Sequence, residues 1–185
     1  MTGWDGEVLS FWFDETPPAK RFSVDHDLDA DIARRFAALH ARLMATAAAD
    51  LVASPSQALA ALIVLDQFSR NMFRGTAGAF AADPHARAIA DAAISSGHDT
   101  MVAPERRMFF YLPFMHAENA ADQDRCVALF SLLGNPDAMK FAHDHRDIIQ
   151  RFGRFPHRNA ALGRESTADE KAYLATAEHY GQKSV

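Results

Sequence analysis

Cysteine is almost missing: Cys126 stands alone in 185 residues, which excludes an internal disulfide framework and any multi-cysteine zinc or iron–sulfur site. Lysine is scarce too. Four lysines against 15 arginines mean that positive charge is carried as planar guanidinium forks, which suit carboxylates and phosphates, more than as ammonium groups. Positive charge as a whole is in deficit, since 19 basic and 24 acidic residues leave a net charge of −5, whereas a domain built for nucleic acid is strongly basic. No nucleic-acid partner is expected. No window approaches the ~18 unbroken apolar residues of a membrane span. The start, Met1-Thr2-Gly3-Trp4-Asp5, has neither the basic nor the apolar region of a secretory signal. A cytoplasmic chain without a membrane partner is therefore expected. Also absent are the Gly-x-Ser-x-Gly elbow, the Walker loop, GxGxxG and HExxH, so the motifs imply no cofactor and no bound metal.

What is present is apolar and helical. With 49% hydrophobic and 23% charged residues, the chain suits one domain over residues 1–185 that buries roughly two-thirds of its unfolded surface. No stretch alternates as a strand does, and the helical period dominates, which predicts an all-α bundle of seven or eight helices. Leu28, Ile32, Phe36, Leu39 and Leu43 form the stripe of one amphipathic helix. Ser54-Pro55 with Gln57, Asp83-Pro84, Asn135-Pro136 and Thr167 with Glu170 read as helix starts, the first and last as capping boxes. Gly97 and Gly134 read as stops. A polar tail at residues 178–185 follows the last helix.

Three polar concentrations interrupt this pattern. The stripe Leu59, Leu62, Ile63 continues onto Asp66 and Arg70, so a carboxylate and a guanidinium four residues apart share a face that begins buried. That pair either fixes helix packing, or Arg70, Asn71 and Arg74 project from the helix end into a pocket. From residue 146 to 164, five arginines (Arg146, Arg151, Arg154, Arg158 and Arg164) meet one acidic residue, Asp147. This local excess of one sign either anchors a packed loop through Asp66, Asp83 or Glu118, or offers forks to an anion. Third, His116 and Glu118 follow an aromatic run, with His143, His145 and His157 farther on. Such residues can ligate a metal or exchange protons near neutral pH, although their spacing fits no metal motif.

The segments Val8–Phe13, Leu65–Thr76, Phe109–Glu118 and Arg151–Asn159 together resemble the bacterial family known as domain of unknown function 924, in that family's order and across nearly the whole chain. The resemblance implies a tetratricopeptide-like fold, a right-handed array of antiparallel helix pairs. It carries over polar motif positions onto Asp66, Gln67, Arg70, Asn71, Arg74, Asp83, His116, Glu118, His145, Arg151, Arg154, His157, Arg158, Asn159, Gly163 and Arg164. Ser69 departs from it, standing where proline is usual. No activity comes with the family.

The candidate site therefore comprises Arg70, Asn71, Arg74, His116, Glu118, His145, Arg151, Arg154, His157, Arg158, Asn159 and Arg164. Three functions are compatible with it: a pocket for a small carboxylate or phosphate, a scaffold that holds a protein or peptide partner in a helical groove, and a metal-dependent hydrolase.

Overall fold

The computed structural model describes residues 3–176, so the expected polar tail at 178–185 lies outside the described residues. The chain is all-helical, with no strand among the described residues. Its α-helical segments are α1 (Trp4–Ser10), α2 (His26–Met44), α3 (Pro55–Leu62), α4 (Ser69–Met72), α5 (Gly78–Ala81), α6 (Asp83–Ser95), α7 (Pro104–Met115), α8 (Ala120–Ser131), α9 (Pro136–Phe152) and α10 (Ala168–Leu174). The longer ones lie against their sequence neighbours: α6 against α7, α7 against α8, and α8 against α9. None of the described helices is long and apolar enough to cross a membrane.

Several boundaries follow from local chemistry. The side chains of Ser54, Asn119, Asn135 and Thr167 each accept a backbone N–H at the start of α3, α8, α9 and α10, satisfying donors that a helix start leaves open. Thr167 and Glu170 form the full reciprocal box. Gln57 departs from the box expected of it, because its side chain accepts from Ala53 N, one residue before the cap. Asp83 departs further. It is the first residue of α6 with Ala82 at the cap position, and its carboxylate is turned toward two arginines instead of its own helix. Gly97 ends α6 in the left-handed region at φ 73°, as its position suggested.

Two π-helical turns carry no sequence signal. Phe11–Glu15 extends α1, and Ile63–Phe68 joins α3 to α4 in one continuous helix. The two turns meet: Phe68 lies edge-on to Phe11 and to Trp12 at 5.7 and 5.4 Å between ring centroids. All six residues of Ile63–Phe68 are buried. The wider turn thus brings Asp66 and Gln67 inside along with their apolar neighbours, and π turns of this kind often mark functional positions.

Candidate functional site

A cavity of about 450 Å³ opens between the α3–α4 helix, α7 and α9. Along α7 it is lined by Met108, Leu112 and Met115 and then His116; along α9 by Ala138 and Phe141 and then His145. On α7 apolar residues thus precede the histidine, whereas α9 opens on the polar Asn135 and Asp137 before Ala138, Phe141 and His145. The rings of His116 and His145 meet at 6.4 Å, so both histidines fall at the same end. Gln67, Arg70, His157 and Arg158 also line the cavity, as do Asn71 and Arg74.

The charges near that end are matched. Arg70 donates to the carbonyl of Asp66 and to the carboxylate of Asp83 at 2.9 and 3.0 Å, and its second terminal nitrogen stands 3.4 Å from the carboxylate of Asp66. Arg158 donates to the other oxygen of Asp83 at 3.0 Å and to the carbonyl of His116 at 2.9 Å. Its guanidinium lies between the rings of Phe80 and Phe155, at 4.4 and 4.7 Å. Two guanidiniums thus face two carboxylates. Asn71 and Arg74 bind Asp29 of α2, Arg74 through both oxygens at 2.8 and 2.9 Å.

Asp66 is 1% exposed, and burial pushes its carboxyl up. His116, Arg70 and a hydrogen bond from Gln67 outweigh that push and hold it below the usual carboxylate range. It accepts from His116 Nδ1 at 2.7 Å. With Asp66 ionised, the proton of the ring sits on Nδ1, and Nε2 keeps its lone pair with no hydrogen bond from the described residues. Burial and the neighbouring Arg70 lower the pKa of His116. Burial likewise takes His145 to about 4 and His157 to about 3, with Arg158 adding to both. All three histidines are uncharged at neutral pH.

The remaining predicted residues lie elsewhere. Arg154 grips Glu170 through both oxygens at 2.7 and 2.8 Å, and Asn159 reaches the same carboxylate at 3.2 Å. Arg164 grips Glu118 at 2.7 and 2.9 Å. Arg151 lies over the rings of Phe152 and Tyr173. Glu118, with Arg158, lines a second cavity of about 250 Å³. Of the two alternatives for residues 146–164, three arginines take the anchoring one: Asp83 and Glu118, distant in sequence, pair with Arg158 and Arg164, and Glu170, 16 residues on and not anticipated, pairs with Arg154. Of those five arginines, Arg158 lines the main cavity. No group of three or more His, Cys, Asp or Glu side chains among the described residues is arranged to hold a metal ion.

Residues that sequence reasoning left out include Arg21 and Phe22. Arg21 donates to the carbonyls of Trp12, Phe13 and Thr16 at the end of the first π turn, a role with no motif. Met108, Leu112 and Met115 were also missed, because a stripe at that spacing reads as core.

An all-helical body with a cavity that is apolar in its middle and polar at both ends is the class of protein defined by this geometry. The chain belongs to the family described as bacterial protein of unknown function, DUF924, whose model matches residues 8–178. It is similar to a solved protein of unknown function from Agrobacterium tumefaciens, with 42% identity and a TM-score of 0.89, covering 94% of this chain and 97% of that one. No curated protein matches it.

Proposed function

We propose that the cavity binds a small amphipathic acid, its carboxylate at the histidine end and its apolar body along Met108, Leu112 and Phe141. The observation that carries this reading is an apolar stretch of one cavity of about 450 Å³, formed by Met108, Leu112 and Phe141, that leads from Arg21, Asn135 and Asp137 at one end to two guanidiniums and uncharged imidazoles at the other. A volume of that size matches a small-molecule site, which favours a compact ligand over an extended peptide. Because Arg70 and Arg158 are already matched by Asp66 and Asp83, an incoming carboxylate gains little from net charge. Directed N–H donors from Arg70, Arg158 and His157 hold it, together with burial of its tail.

Isothermal titration of the protein with octanoate, phenylacetate, citrate and phosphate tests this. Octanoate and phenylacetate should bind at one site, and citrate and phosphate more weakly. Ala138→Trp, which narrows the apolar stretch without replacing a charged group, should abolish the octanoate signal. Absence of binding by both apolar acids, or equal binding by the Ala138→Trp variant, overturns the reading.

A further inference from the structure

The proposed ligand leaves one feature without a task. Binding an acid requires donors, yet His116 presents an acceptor: Asp66 accepts the hydrogen bond of its Nδ1–H at 2.7 Å, and Nε2 keeps its lone pair on a residue that lines both the main cavity and the smaller one beside it. A buried carboxylate behind a neutral imidazole is the arrangement that turns histidine into a general base, because it fixes the tautomer and stabilises the imidazolium once a proton arrives. Asp66 is itself held in place, by Gln67 on its second oxygen and by Arg70 beside the first. His116 is fixed at the end of α7, where its carbonyl accepts from Arg158.

The groups around the ring from each neighbouring element are Asp66 and Arg70 on the α3–α4 helix, Asp83 on α6, His145 on α9 and Arg158 on the short turn Pro156–Arg158. Hydroxyl and thiol nucleophiles are poorly placed. Ser23 lines the cavity beside Phe22, which stacks on Phe109 next to Met108 and so sits toward the end away from the histidines. The Cys126 thiol is buried and pushed up to about 12. Water is then the nucleophile. One buried donor in the same cluster, Arg158 Nε, has no hydrogen-bond acceptor, and it is the group assigned to negative charge that develops on a carbonyl oxygen.

We propose that the cavity hydrolyses a carboxylic ester of the amphipathic acid, with His116 as general base and Asp66 as its positioning residue. The inference rests on the binding reading, since the acid bound there would be the product. His116 Nε2 takes a proton from water as the oxygen adds to the acyl carbon, and the carbonyl electrons move onto the carbonyl oxygen. The carbonyl then re-forms as the carbon–oxygen bond to the alcohol breaks, and the alkoxy oxygen keeps that bonding pair and takes the proton returned from Nε2, leaving as the alcohol. Ester and water give carboxylic acid and alcohol, and the acid ionises.

The test follows 4-nitrophenolate release from the acetate, octanoate and phenylacetate esters, beside octanoate titration on the same sample. The octanoate ester should turn over faster than the acetate ester, with kcat/KM rising with pH through one titration below about 6.5. His116→Gln, shown to be folded by circular dichroism, should lose roughly 100-fold or more in kcat/KM. Nitrogen-15 spectra of the wild-type imidazole should show His116 protonated at Nδ1 and bare at Nε2, a readout independent of turnover. Octanoate binding without hydrolysis, turnover unchanged in His116→Gln, or a proton on Nε2 overturns the dyad and leaves the binding reading standing. Absence of both binding and hydrolysis overturns the two together.

Discussion

Three uncharged histidines around one cavity make the folded state sensitive to mild acid. Burial holds His145 at about 4 and His157 at about 3, well below the ~6.5 of the unfolded chain. A base whose pKa is lowered by folding takes up its proton preferentially in the unfolded state, so its contribution is full above pH ~6.5 and is lost as pH falls toward the folded value. Each such histidine steepens the stability curve by at most about 1.4 kcal/mol per pH unit in that window. Urea unfolding at pH 7.5, 6.5 and 5.5 should therefore show a progressive fall, and His157→Phe should flatten it. The carboxylates act in a different window. Arg154 holds Glu170 at about 2, so protonating it weakens folding only below the ordinary carboxylate range. A stability unchanged between pH 7.5 and 5.5 would show that these histidines are more hydrated than their burial implies.

At the scale of elements, the capping boxes carry a separable share of stability. Thr167→Ala removes the acceptor for Glu170 N at 3.2 Å and should destabilise the protein by about 1 kcal/mol. Hydrogen exchange should locate the loss in α10, with α3 and α7 unaffected. Uniform loss of protection would show that α10 does not open on its own. Such caps are also why helix boundaries were legible: a side-chain oxygen bonding a backbone N–H three residues on is local chemistry, and Ser54, Asn135 and Thr167 all behave as written. Asp83 was misread because a cap and an ion-pair partner look alike until Arg70 and Arg158 are seen beside it. The π turns were illegible for a related reason. Their wider winding accompanies the packing of Phe11 and Trp12 onto Phe68, contacts more than fifty residues apart in sequence.

Across the whole molecule, carboxylates join segments that the chain separates widely. Asp29 holds Arg74, Asp66 holds His116, Asp83 holds Arg158 and Glu118 holds Arg164, at separations of 45, 50, 75 and 46 residues. The cavity residues Arg70, His116, His145, His157 and Arg158 were legible from residue type. The allocation of arginines between cavity and anchor was not, since it depends on which distant carboxylate arrives. The stretch after α9 tests the anchor role. Glu118 accepts from both terminal nitrogens of Arg164 and from Phe155 N at 2.8 Å, so Glu118→Ala alone loses the ion pair and strands a backbone donor. A double-mutant cycle with Arg164→Ala removes that ambiguity, because the stranded N–H is present in both Glu118→Ala backgrounds and cancels. With both side chains about three-quarters covered and the contact bidentate, the coupling should be about 1–3 kcal/mol. A coupling near zero would mean that Arg158, Phe155 and Glu170 secure this segment unaided, and that the Glu118–Arg164 pair serves the smaller cavity instead of the fold.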